Sequence, residues 1–522
     1  MIRHRFVFSV TVFLLLTSCV LFSEQKMPQV QEVAVPSVIL PGTFKSSDVC
    51  FRSGNHPTDS NDPLDSIATA KAFHATRFVW CYLWGYNLET NYLNKVKQLG
   101  CSFQGSLNSY TWDSPGKWTT TNGRILDLNG VGVTAQWMRS WAKPTFGAWG
   151  CVNSAAWRQS VLEAAKSLFA LGVDSLQFDD ALCNASLVQF GGCFCTNCMT
   201  GFRAYLQTNL SSIELLKVGI TNIETFDYGA YLRSVNAPVG DGFGKYSDSI
   251  KPAFTDFQTK SAINFQAWLR SALPVCAGRQ VVVSANNWDG AWTPPYDLFD
   301  WGVAELPETS AMPGKIISRL QDAAKRGKKQ IFTLVSTNVA LTRKVIATTY
   351  SYGSPLIVPW DVNVLTANRY FGSVADYGDI YSFVRDKASL LDGYEDAAYV
   401  AQGLTDPRYT NRPPVIILDN TNCCAFTRAI PGNAAAPVVV HLVDWSVSPI
   451  GFKLKVDKAR FSINPIRPVL YRPGEALLKM RPVDDGTNLT ISIPALNPWG
   501  ILVLNQGLIP PTGFKVFGNP HP

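Results

Sequence analysis

Between Ser47 and about Val400 the chain alternates two patterns. Short apolar runs are followed by longer stretches whose apolar positions recur every three or four residues. "RFVWCYLW" (77–84) reads as an early strand and "LETNYLNKVKQLG" as the helix after it, stopped at Gly100. "CSFQGSLN" (101–108) is the next strand. "SAAWRQSVLEAAKSLFALG" then aligns Trp157, Val161, Ala164 and Leu168 on one face, with Ser154 placed to cap its start and Gly172 to end it. The strand "VDSLQFD" follows at once. "QVVVSAN" (280–286), "DWGVAEL" (300–306), "KQIFTLVS" (329–336) and "SPLIVPW" (354–360) are further strands, with helices such as "FQTKSAINFQAWLRSAL" and "SRLQDAAKRGK" between them. Residues 209–255 show no clear period and read as a long insertion after the fourth strand.

Strand-then-helix repetition implies a parallel sheet. About eight units over ~350 residues suit a (β/α)8 TIM barrel, expected over 46–402. No Gly-x-Gly-x-x-Gly follows a first strand, which removes the dinucleotide-binding alternative. From about 403 the pattern changes. "PPVIILDN", "APVVVHLVDWS", "FKLKV", "TISIP" and "WGILVLN" are short β-type runs broken by Pro, Gly and Asn. They predict an all-β sandwich domain over 403–522.

The first residues carry a different signal. Arg3 and Arg5 precede an apolar run, Phe6 to Leu16, that is too short to span a bilayer and reads as an export signal over 1–18. Leu16-Thr17-Ser18-Cys19 resembles a bacterial lipobox. That resemblance implies a lipid anchor on Cys19, a tether over 19–45 and a place in the bacterial cell envelope.

Composition narrows the class. Apolar residues make up 46% and charged residues 16%, the balance of a folded chain. The net charge of +7 is modest for 522 residues and comes without a basic run, so no nucleic-acid partner is expected. The 15 Trp, 18 Tyr and 29 Phe mostly fill cores, yet such rings also stack on sugars.

Barrel chemistry sits where strands finish. Three strands end on acids: Asp179-Asp180, Glu305 and Asp361. Side chains alternate along a strand, so with Leu176 and Phe178 facing the helices, Ser175, Gln177 and Asp179 point inward. Asp179 is therefore the preferred catalytic acid, with Asp180 one step beyond in the loop. Glycosidic cleavage needs one carboxyl to protonate the leaving oxygen and a second, ionised, to attack the sugar or activate water. Asp179 as nucleophile or base and Glu305 as proton donor meet that need. Trp80, Tyr82, Trp84, Gln104, Asn108, Asn286, Trp288, Trp360 and Asp361 sit at strand ends, where rings and amides could bind an oligo- or polysaccharide.

Cys193, Cys195 and Cys198 place three thiols within one short segment. With Cys151 or Cys183 as a fourth they could hold a structural zinc; disulfides are the alternative. Only His56 and His74 lie in the expected barrel, so no cofactor is expected for catalysis.

"GVDSLQFDDALCN", "GGCFCTNCMTGFRAYL", "FDWGVAELPE" and "YGSPLIVPWD" together resemble exported bacterial glycoside hydrolases. The cysteine element is similar to one in family 42 β-galactosidases, where it holds a structural zinc. That family places Asn-Glu after strand four, whereas this strand ends Phe-Asp-Asp. The aspartate looks more like retaining α-galactosidases and α-fucosidases. The resemblance implies the fold and reaction class, not the sugar. Two other classes stay open: a polysaccharide lyase acting on an anionic glycan, and a non-catalytic glycan-binding lipoprotein.

Overall fold

A computed structural model describes residues 42–52, 65–82, 90–109, 123–136, 139, 149–359, 372–409, 411–433, 436–461 and 467–504. The expected signal, Cys19, nearly all of the tether, Trp84, Trp360 and Asp361 lie outside these residues, as does the side chain of Tyr82.

Seven parallel strands run in chain order: β1 (Cys50–Phe51), β2 (Arg77–Tyr82), β3 (Ser102–Asn108), β4 (Ser175–Asp179), β5 (Val283–Asn286), β6 (Trp301–Leu306) and β7 (Lys329–Leu334). The segment 354–358 supplies the eighth position. Ile357 N–H donates to Phe332 O at 2.8 Å on one side, and Val358 N–H to Cys50 O at 2.8 Å on the other, so the barrel closes. Inside lie Cys50, Val79, Trp80, Val282, Trp301, Val303, Ile331 and Ile357. Outside, Leu176, Phe178, Ala304 and Leu306 join the larger core under the helices. Phe178 meets Phe265 of the helix Lys251–Ala277 at 5.7 Å. Burying each such ring contributes about 2–3 kcal/mol.

β2 departs from strict alternation. Phe78 pairs with Phe103 and Cys81 with Gly105, so Val79 and Trp80 together face the single residue Gln104. This bulge, with Trp80 at φ 53°, turns two successive side chains into the barrel.

The expected insertion over 209–255 is largely helical. Helices Thr196–Asn209, Ser212–Lys217, Tyr228–Ser234 and Asp241–Lys245 lead into Lys251–Ala277. They build a lobe with its own core, where Phe194, Phe202, Tyr228, Phe243 and Phe254 pack around the cysteines.

The C-terminal region is two antiparallel sheets. One is ordered β15-β14-β18-β12-β11-β8-β9 and the other β10-β13-β17-β16, where β8 is Glu395–Ala401, β9 Leu404–Thr405, β10 Val415–Ile417, β11 Cys423–Ala429, β12 Val438–Asp444, β13 Phe452–Asp457, β14 Val469–Tyr471, β15 Leu478–Lys479, β16 Val483–Asp484, β17 Asn488–Ile493 and β18 Trp499–Leu504. Val440 and Leu442 of one sheet share a core with Leu454 and Ile491 of the other, as in a sandwich. The expected boundary near 402 falls too late, because β8 already pairs with β11. The sandwich packs on the barrel through Trp499, which meets Tyr350 at 6.4 Å and Phe383 at 5.1 Å, both on barrel helices.

Candidate active site

β4, β5 and β6 are neighbours, and each carries a polar residue at or just before its C-terminal end. Asp179 closes β4 and is buried, Asn286 closes β5, and Glu305 is the last inward-facing residue of β6. The amide on the middle strand joins the acids on its flanks. Asn286 Nδ2 donates to Glu305 Oε1 at 2.6 Å, and the same side chain hydrogen-bonds Asp179.

The surroundings treat the three acids differently. Burial pushes Asp179 above its ordinary pKa, but Asn286, the Asp180 N–H at 3.0 Å, the charge of Arg52 and the Trp80 indole N–H at 3.3 Å all favour its ionised form. Burial and the charge of Asp179 raise Glu305, against Asn286 and Arg52. Asp180 is pushed well above the usual carboxylate range by burial and by both other acids, with no group acting to lower it. Three neighbouring acids thus differ in how readily they ionise.

Backbone strain concentrates here. Among the described residues eight non-glycine positions have left-handed φ, and Trp80, Asp180, Cys183 and Trp288 are four of them. Each such position costs about 1–3 kcal/mol. Trp288 is 70% exposed, yet its backbone is pinned at both ends. Its N–H donates to Asn286 Oδ1 at 2.9 Å, and its carbonyl accepts from Glu305 N–H at 2.6 Å. The backbone that carries this open indole is thus tied to Asn286 and Glu305.

Two expected sugar contacts are corrected. Trp80 is buried, and the Arg52 guanidinium lies 4.2 Å from its ring centre, so its face cannot receive a sugar; it holds Asp179 instead. Gln104 is buried deeper. It accepts from Trp80 N–H at 3.3 Å and donates to Leu176 O at 3.1 Å and Ser284 Oγ at 3.2 Å, which makes it a tie inside the barrel. Asn108 stays at the rim, in register with Asp179. Two residues beside the acids escaped the sequence reading. Arg52 follows β1 directly, and Tyr296 is buried where the charges of Asp180 and Asp179 add to burial in raising its phenol. A cation next to a strand end was the available signal for Arg52; Tyr296 sits in a Pro-rich turn that carries none.

The cysteine element lies apart from the carboxyls. The sulfurs of Cys151, Cys193, Cys195 and Cys198 all lie within 4.8 Å of one another, and Cys183 is not among them. Cys151 Sγ is 3.6 Å from Cys195 Sγ, 3.5 Å from Cys198 Sγ and 3.7 Å from Cys193 Sγ. Zinc–sulfur bonds of about 2.3 Å in a tetrahedron place sulfurs about 3.8 Å apart, whereas a disulfide needs about 2.05 Å. The donor set therefore fits a tetrahedral metal ion and not a bridge. Asn153 Nδ2 points at Cys198 Sγ (3.3 Å), and Asn184 Nδ2 at Cys151 Sγ (3.5 Å) and Cys198 Sγ (3.6 Å).

No protein-family model matches the chain. It is similar to an alpha-agarase of Alteromonas agarilytica, 26% identical over 313 residues that cover 52% of this chain and 21% of the relative. It is also similar to an alpha-agarase of Thalassotalea agarivorans, 26% identical over 280 residues that cover 46% and 18%. The chain thus matches about a fifth of the length of these curated relatives. Among solved structures it is similar to a noncanonic maltogenic alpha-amylase of Thermotoga neapolitana, with a TM-score of 0.50 at 9% identity, covering 88% of this chain and 99% of that one. That likeness shows the fold alone: a (β/α)8 barrel followed by a β region.

Proposed function

We propose that this chain is a glycoside hydrolase that cleaves an agar-type polysaccharide, with Asp179 as nucleophile or base and Glu305 as proton donor. The observation that carries the reading is Asn286, whose amide joins a buried and a half-buried carboxyl of unequal environment at the barrel mouth. Asp179 has four groups favouring its charge and Glu305 two, so the first ionises more readily and the second keeps a proton to give. Glu305 transfers that proton to the leaving oxygen while Asp179 attacks the sugar or deprotonates water. Asp180, kept neutral, donates a hydrogen bond to a sugar hydroxyl, and Trp288 stacks on a sugar face. The sugar is chosen from the likeness to alpha-agarases.

Cys151, Cys193, Cys195 and Cys198 hold a structural zinc in this reading, supported by the sulfur spacing. Four thiolates leave the ion no open position for water, so it braces the lobe and takes no part in the reaction. The lipobox-like run before Cys19 supports export and lipid anchoring in the cell envelope.

The test is hydrolysis of agarose and a polysaccharide panel by the full chain, followed as new reducing ends. Asp179→Asn and Glu305→Gln are each expected to lower kcat about 10²–10⁴-fold without unfolding the protein. Unsaturated products absorbing in the ultraviolet would replace this reading with a lyase. Tight glycan binding with no turnover would replace it with a binding protein.

A further inference from the structure

The acid-bearing loop and the cysteine centre meet in one buried side chain. The chain leaves β4 at Asp179, turns between Asp180 (φ 51°) and Cys183 (φ 49°), and enters a short helix at Asn184. Cys183 N–H donates to Asp180 O at 2.8 Å across the turn. Both ends of the turn are left-handed at non-glycine residues, so outside contacts must hold it. Ser109 Oγ reaches Asp180 O at 2.9 Å, and Gln266 Nε2 reaches Cys183 Sγ at 3.5 Å. On the opposite side stands Asn184, fully buried, with both ends of its amide engaged. Its Oδ1 accepts from Val152 N–H at 3.0 Å, next to Cys151. Its Nδ2 faces Gln258 Oε1 at 2.9 Å and the sulfurs of Cys151 and Cys198. A second path runs beside it: Gly150 N–H donates to Ser109 O at 2.8 Å, one residue before Cys151.

We propose that Asn184 is a positioning residue that couples the four-cysteine centre to Asp180, so that metal on the thiolates fixes the acid-bearing turn. This coupling rests on the metal and glycosidase readings of the proposed function. Metal-bound thiolates carry negative charge and accept N–H donors, which aligns the Asn184 amide and with it the turn one residue upstream. Without the ion the sulfurs lose their common geometry and the amide loses a fixed partner.

The experiment uses the full chain loaded with cobalt(II), whose thiolate charge-transfer absorption reports N–H···S contacts. Wild type and Asn184→Ala are compared by that absorption, by hydrogen exchange over 176–186 and by kcat and KM on agarose. Expected are a shifted cobalt band, exchange at least tenfold faster across the turn with β7 unchanged, and a lower kcat at an unaltered KM. If the variant does not fold, metal is stripped from wild type and returned; the turn should loosen and retighten while β7 stays protected. A cobalt band and turn exchange identical to wild type overturn the coupling. Wild type that takes up neither zinc nor cobalt overturns the metal reading, and the coupling with it. A coupled turn in a protein inert on agarose overturns only the choice of substrate.

Discussion

Asn286 donates to Glu305 at 2.6 Å and also hydrogen-bonds Asp179, so one neutral amide lowers the pKa of both acids. Removing it by Asn286→Ala should raise both. Asp179 then ionises only at higher pH, and Glu305 keeps its proton to higher pH. The whole bell-shaped profile of kcat/KM should move toward alkaline pH, with the maximum lowered about tenfold or more. A profile unmoved on both limbs would remove Asn286 from the site.

Asp180 makes an opposite prediction for stability. Its folded pKa is raised by burial and by Asp179 and Glu305, so its contribution is full below the unfolded value of about 4 and is lost as pH rises through the folded value. Asp180→Asn keeps the shape and removes the charge. Its melting temperature should exceed wild type at pH 8 and converge on it toward pH 4, while activity falls. Melting curves across that range check the sign.

The cysteine centre should behave as a single unit. Purified protein, prepared without chelator, should contain one zinc per chain, and Cys198→Ser should lose it. Because binding energy of such a site is folding energy, the variant should melt well below wild type. Titration of thiols decides the alternative: a protein free of zinc and short of reactive thiols would favour bridges.

Trp499 lies between Tyr350 and Phe383 of the barrel and stacks near His441 of the sandwich. Trp499→Ala should cost about 3–5 kcal/mol. Calorimetry should show one transition for wild type, covering barrel and sandwich together. Two separated transitions would contradict the shared core.

Strand six was legible because a buried parallel strand runs nearly all apolar, so Glu305 stands out near its end; strand four was legible from the alternation of Leu176 and Phe178 with polar residues up to Asp179. Alternation placed Asp179 inward correctly because β4 is regular. The same rule fails on β2, where the bulge gives Val79 and Trp80 one face. Gln104 shows another limit: polarity marks the barrel interior, but not its depth. β8 was missed because "EDAAYVA" is rich in alanine, a weak strand former, and its partner β11 lies over twenty residues ahead. Cys151 came within reach through composition alone, since only folding brings it across 42 positions to Cys193.

The bulge in β2 also gives the barrel lumen a side chain that a plain strand would not supply. Below it, Phe78 lies outside; above it, Cys81 lies outside again, an odd number of steps later. Deleting Val79 would leave Phe78, Trp80 and Cys81 opposite Phe103, Gln104 and Gly105, a plain ladder in which everything beyond keeps its face and its register. Deleting Trp80 instead would keep that frame but take away the indole that donates to Asp179 and the ring beneath Arg52. One inserted position in an otherwise repetitive wall thus adds an inward side chain without disturbing the phase of the strand on either side of it.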